Sequence, residues 1–183
     1  MEAFKTEGVV PDVIDNLPPA VLQLTWAETC LSPGGRMWPR DVRSPPSVSY
    51  DAEPDSYYTL ICNDPDAPSR ADPKFGEFHH WLVTNVPGCR IEDGDERTAY
   101  IGSGAPKGTG LHRYVFLLYK QPSGKIDFSD VDKIPNSSAE GRRKHSARKF
   151  AASHSLELVA GNFFLAEYDE SVPDLHRQLG FTK

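Results

Sequence analysis

The chain has 183 residues, a formal net charge of −6 and 38% hydrophobic residues, which suits a single domain over residues 1–183 and excludes a wholly disordered chain. The acidic balance argues against a non-specific nucleic-acid binder, whose affinity comes from neutralising phosphates. The 16 prolines argue against a helical bundle and for strands joined by shaped loops.

In chain order, the N-terminus shows no basic segment followed by an apolar one, so no secretory leader is expected. No run approaches the ~18 apolar residues of a membrane span. Leu22–Trp26 alternates apolar with polar residues and predicts a half-buried strand. Residues 32–46, rich in proline and with two adjacent glycines, predict a loop, and Val48–Tyr50 a further short strand. Tyr57–Cys62 is apolar throughout and fits a strand buried on both faces, stopped by Pro65 and Pro68. His80–Val86 and His112–Tyr119 predict two more strands, separated by a glycine-rich segment from Gly102 to Gly110. Helix signals come late. Ser137–Glu140 fits a capping box, followed by Ala147, Phe150 and Ala151 at helical spacing. Phe163–Ala166 predicts a last strand, and Val172, Leu175 and Leu179 one face of a final helix. Strands do not alternate with helices, so an antiparallel sandwich with peripheral helices is expected. The cysteines Cys30, Cys62 and Cys89 form no CxxC motif. They predict reduced thiols in a cytoplasmic protein.

Three segments could carry chemistry. In Asp64–Arg70, an extended backbone turns Asp64 and Asp66 to one side, and Pro65 and Pro68 fix two φ angles. Two such carboxylates repel, which raises one pKa; the plainer role is an Asx-turn at a strand end. In Phe78–Trp81, adjacent side chains face opposite ways, so only one of His79 and His80 enters a given site. In Gly102–Tyr114, glycines let backbone N–H groups approach an anion. His112 and Tyr114 share one strand face there and offer a ring nitrogen and an O–H. The segment is neither GxGxxG nor a P-loop.

Together, DPDAPSRADPKF (Asp64–Phe75), HHWLVTNVPG (His79–Gly88) and GSGAPKGTGLHRYVFLLYKQ (Gly102–Gln121) closely resemble the phosphatidylethanolamine-binding protein family, which includes the Raf kinase inhibitor proteins. The resemblance runs from about Val10 to Leu179. It implies a mainly β fold: a large central antiparallel sheet packed on a smaller sheet, with helices at the C-terminal end. It also implies a small anion pocket at one end of the sheet. Asp64, Asp66, His80, His112 and Tyr114 would line that pocket, with Pro68, Phe78, Gly104 and Pro106 shaping its wall and rim. Phe78 stands where vertebrate relatives carry tryptophan. His176 stands on the C-terminal helix where relatives carry tyrosine. An imidazole there, with an ordinary pKa near ~6.5, predicts tighter anion binding near pH 6 than near pH 8. The two prolines and the resemblance both point to a cis peptide at Ala67–Pro68.

The function implied is binding and regulation without a cofactor or metal. The ligand would carry phosphate, as a phospholipid headgroup or a phosphorylated side chain, and protein kinases would be partners. Other classes stay open on the residues alone. A hydrolase or a protease inhibitor could use the same pocket, although no GxSxG elbow is present and Ser103 is the only hydroxyl near the acids and histidines considered as a nucleophile. A metal centre would draw on Asp64, Asp66, His80 and His112. Arg142, Arg143, Lys144, Arg148 and Lys149 would form one charged helix face, solvated or touching an acidic membrane.

Overall fold

Two apolar strand segments set the architecture. Tyr57–Asp64 and His112–Gln121 pair side by side in the middle of a sheet, as their near-continuous β-branched and aromatic runs require. The structure, a computed structural model, describes residues 1–181. In chain order it comprises α1 (Glu2–Thr6), α2 (Val9–Asp12), β1 (Ala20–Val21), β2 (Gln23–Trp26), β3 (Thr29–Cys30), β4 (Gly35–Arg36), β5 (Ser47–Ser49), β6 (Tyr57–Asp64), β7 (Phe78–Pro87), β8 (Asp95–Thr98), β9 (His112–Gln121), α3 (Ala147–Ser153), β10 (Glu157–Ala166) and α4 (Val172–Gln178).

The large sheet runs β1-β10-β9-β6-β7-β8, with β4 also on β10, and a small sheet runs β3-β2-β5. Its central pairs are antiparallel, whereas β1 and β4 lie parallel to β10. The sheet is therefore mixed at one edge, where full antiparallel pairing was expected. Alternation along the strands sorts the core into two layers. Leu60, Cys62, Phe116 and Leu118 face the small sheet and pack with Leu24 and Trp26. Ile61, Val115, Leu117 and Tyr119 face the other way, against Phe4, Val9 and Ala151 of the helices.

Three local expectations are corrected. The segment around Ser137–Glu140 is turn, and α3 begins only at Ala147, where the Ser146 Oγ accepts from Lys149 N. Positive φ at Gly141 and Lys144 stops a right-handed helix from running through. The five basic residues consequently share no helix face. The Arg142 side chain is fully buried and donates to the carbonyls of His79, Ala99, Pro135 and Ser138, while Arg148 and Lys149 stay exposed on α3. Finally, residues 32–46 contain β4 and a short 3-10 turn, Pro39–Val42. The Ala67–Pro68 peptide is cis.

Candidate functional site

Antiparallel pairing brings the C-terminal end of β6 and the N-terminal ends of β7 and β9 to one end of the sheet. Asp64, Phe78 and His112 stand at those three ends, so one place in the fold collects them. A bulge refines the arrangement. On β6, Cys62 and Asn63 are consecutive, but their β7 partners are Trp81 and His79. His80 is the extra residue, and it turns to the same face as Trp81 while His79 takes the opposite one.

The result is a cavity of about 360 Å³, lined by Asp64, Pro68, Phe78, His80, Gly104, Pro106, His112 and His176 among the residues singled out from the sequence. Its wall is completed by Ala67, Phe75, Ile101, Arg143, Leu175, Leu179 and Phe181. Asp64 and His112 form a buried pair, with Oδ2 2.8 Å from Nδ1. Asp64 Oδ1 accepts the Asp66 backbone N–H at 2.7 Å, an Asx-turn of the kind predicted. The Thr109 hydroxyl donates to Pro106 O at 2.8 Å, and His112 Nε2 lies 2.9 Å from the same hydroxyl. A hydroxyl has one hydrogen, so the imidazole is the donor in that second contact.

His80 Nδ1 lies 3.1 Å from Ile101 O, which can only accept, so this nitrogen carries the hydrogen. Burial pushes the His80 imidazole down to about 4, against an opposing pull from the Asp64 charge. It is thus neutral at pH 7, with its lone pair on Nε2. His176 Nε2 is 2.8 Å from Gly104 O and therefore donates to the loop, tying α4 to residues 102–110. A Cβ at Gly104 would stand 3.0 Å from Leu175 Cδ2, so the loop lies close against the helix at this glycine. Arg143 stacks over the Phe75 ring at 4.4 Å at the cavity wall.

Two of the residues expected in the pocket do not line it. Asp66 turns away and is held by Arg113, whose backbone N, Nε and Nη2 donate to it at 2.9, 3.0 and 2.7 Å. Burial raises the Asp66 carboxyl, but Arg113, with Arg70 beyond it, outweighs burial and holds it below the usual range. The rise expected from a neighbouring carboxylate is therefore not seen at Asp66, because Arg113 and Arg70 lie beside it. Tyr114 lies behind the floor, with its hydroxyl accepting from Gly104 N at 3.3 Å; burial drives its pKa well above the ordinary value. Asp66 thus does not converge with Asp64, His80 and His112, as a four-ligand metal centre needs. Arg143 and Phe75 were not singled out for the cavity, although Arg143 stood in the basic run and Phe75 in the Asp64–Phe75 motif. Leu175 and Leu179 were read only as a core stripe, and both also line the cavity.

Comparison with known proteins agrees with this architecture. A family model described as phosphatidylethanolamine-binding protein matches residues 28–164. A Drosophila melanogaster protein named "Putative odorant-binding protein A5" is 36% identical over 178 residues, covering 96% of this chain and 84% of its own length. Among solved structures, a carboxypeptidase Y inhibitor complexed with its cognate proteinase superposes with a TM-score of 0.78 at 31% identity, over 92% of this chain and 94% of the other. A phosphatidylethanolamine-binding protein from Plasmodium vivax shares the fold, with a TM-score of 0.79 at 23% identity over 92% and 97% of the two chains. With the family model spanning most of the chain, and its central sheet carrying the cavity-forming strand ends, this chain belongs to the phosphatidylethanolamine-binding protein family.

Proposed function

We propose that the chain is a binding protein rather than an enzyme. Its cavity takes a phosphate-bearing group, as a phospholipid headgroup or a phosphorylated side chain, and through it the protein modulates kinase signalling in the cytoplasm. The observation that carries this reading is the distribution of chemistry in the cavity. Polar groups sit at the buried inner end (Asp64, His80 and His112), aromatic and aliphatic side chains form the wall, and Arg143 supplies a fixed cation. A headgroup with an adjoining apolar portion suits such a space. Asp64 is hydrogen-bonded to His112 and to the Asp66 backbone N–H, so its carboxyl does not stand alone against an anion. His80 meets an anion through Nε2 only after taking up a proton, which a nearby negative charge favours.

Two further observations support the reading. Ser103 is buried outside the cavity, and its Oγ has no hydrogen-bond partner among the described residues, so no base activates it. The three cysteines are free, which suits a reducing compartment. No helix among the described residues is long and apolar enough to cross a membrane. The kinase role rests on the resemblance to the Raf kinase inhibitor proteins.

The test is an NMR titration with inorganic phosphate, phosphorylethanolamine and a phosphoserine peptide. Saturable shifts at His80, His112 and Arg143 are expected, with the three arms ranking the sources of phosphate. No shift at millimolar ligand overturns the proposal. A second reading, inhibition of a proteinase, is favoured by the inhibitor relative at 31% identity. It is tested by assaying carboxypeptidase Y with excess chain.

A further inference from the structure

The strand ends that build the cavity also gather aromatic rings and cations at the same end of the sheet. The connection between β6 and β7 brings Lys74 and Phe75 there, residues 102–110 bring Lys107, and β10 runs out into Tyr168. β4 lies parallel to β10, so the chain leaves it at that end too, through Trp38 and Arg40. The Arg40 backbone N–H donates to Asp169 Oδ2 at 3.0 Å and ties this segment to the residues after β10. Cations cover the rings: Arg143 and Lys74 lie over Phe75 at 4.4 and 5.4 Å, Lys107 over Tyr168 at 5.3 Å, and Arg40 over Trp38 at 5.4 Å. Trp38 is 51% exposed, and Phe181, at the cavity wall, 44%. Leu175 lines the main cavity with Phe181 and a smaller one with Pro39, the neighbour of Trp38, so α4 lies between the two exposed rings.

Single exposed rings are ordinary, but rings gathered at one end, each near a cation or the cavity mouth, form an amphipathic patch. Asp41 and Asp72 stand 3.9 and 3.7 Å from Arg40 and Lys74 and offset them. Arg36, Lys107, Arg143 and Lys144 are exposed at this end and form no ion pair among the described residues, against Glu140, Glu167 and Glu170. The far end, where β6 and β10 begin and β7 stops, reverses the balance. Asp51, Asp55, Glu92 and Glu157 are exposed there without an ion pair among the described residues, against Lys125. Charge therefore rises along the sheet towards the cavity mouth, and such a dipole turns the mouth towards an anionic surface.

We propose that this end of the molecule docks on an anionic bilayer. Trp38 and Phe181 enter the interface, Lys107, Arg143 and Lys144 lie beside the headgroups, and the cavity mouth faces the membrane. Tryptophan and tyrosine suit the boundary between headgroups and acyl chains, where one end of the ring is apolar and the other wet, and a bilayer meets such a patch without the fitted shape that a folded partner needs. The proposal rests on the exposed rim and not on what enters the cavity.

The test uses the full chain with vesicles of phosphatidylcholine alone and of equimolar phosphatidylcholine and phosphatidylglycerol. Trp26 and Trp81 are each 5% exposed, so a change in tryptophan emission on docking reports Trp38. The expected result is co-sedimentation with the mixed vesicles only, weakening as salt screens the charges, with a blue shift of the emission and quenching by brominated acyl chains. Lys107→Glu combined with Lys144→Glu is expected to cut vesicle affinity at least tenfold while leaving the urea midpoint at the parent's value, since both side chains are exposed. Trp38→Ala removes the blue shift. Phosphatidylcholine carries the same phosphodiester without net charge, no free phosphate is added and Arg143 is kept, so failure of the phosphate reading leaves these outcomes standing. No sedimentation, equal binding to the two vesicle types, binding with the Trp38 emission unmoved, or a double variant that binds like the parent each overturns the proposal. Binding of polyglutamate with both vesicle types ignored assigns the patch to an acidic protein and overturns it as well.

Discussion

Asp66→Asn separates a structural carboxylate from the one that lines the cavity. Asp66 is 1% exposed and its partner Arg113 is 5% exposed, so the pair lies in the interior and little of its interaction is screened. Removing the charge leaves the Arg113 backbone N–H an acceptor but sets an amide against Nε or Nη2. Arg113 keeps Asp12 at 2.7 Å and the Glu7 carbonyl at 2.9 Å, which places the cost near the lower end of the range for breaking a buried pair, about 3 kcal/mol. For a chain of this size that is a fall in Tm of about 6–12 °C. The Asp64 carboxylate, meanwhile, is oriented by the Asp66 backbone N–H, which the substitution preserves. Phosphate affinity of the folded variant is therefore expected to stay within about twofold of the parent, equivalent to roughly 0.4 kcal/mol. Urea unfolding gives the first quantity and phosphate titration by NMR the second. A variant with unchanged stability and strongly weakened phosphate binding refutes this assignment and returns Asp66 to the pocket.

Arg143→Glu reverses the fixed cation at the cavity wall. Phosphate affinity should fall by at least tenfold, about 1.4 kcal/mol, with stability unchanged because the side chain is exposed; an unaltered titration rules Arg143 out as a phosphate partner. Stability should also fall as pH drops. His80 and His145 are held at about 4 in the fold against 6.5 outside it, so the unfolded chain binds more protons between those values. Stability is full above pH 6.5 and is lost towards pH 4, by about 3 kcal/mol for each ring. Urea unfolding at stepped pH should show a shallower slope for His80→Asn and for His145→Phe, and slopes equal to the parent's contradict the burial argument. Gly76→Ala should destabilise by about 1–3 kcal/mol, because an added Cβ runs into the Pro65 carbonyl; thermal melting checks this, and an unshifted melt refutes the close approach.

Much of the fold was legible because it rests on long apolar strands. The runs at Tyr57 and His112 became β6 and β9, and alternation correctly put His79 and His80 on opposite faces. What escaped was held by long-range contacts. The strand β8 is Asp-Glu-Arg-Thr and pairs only because β7 offers it an edge. The capping-box pattern at Ser137 failed because Arg142 draws the carbonyls of Pro135 and Ser138 to itself. The cavity was legible as far as the strand ends and the glycine loop carried it. Asp66 was misplaced because its partner Arg113 lies 47 positions away, and no local pattern announces that pairing. Arg143 looked like part of a basic run until the turn at Gly141 and Lys144 separated it from its neighbours.

The extra residue in β7 makes this strand a partition whose two sides can change independently but whose length cannot. A substitution at His80 alters the wall of the Asp64–His112 cavity, and one at His79 alters the opposite face, where its ring stacks on His145. Removing one residue between Gly76 and Trp81 erases the bulge and shifts the preceding strand by one step, which flips each side chain to the other face. Such a deletion would set His79, whose Nδ1 lies 2.6 Å from Asn63 Oδ1, where the Asp64 end of the sheet holds His80. Diversity within this strand should therefore accumulate by replacement, while insertions and deletions are confined to the loops on either side of it.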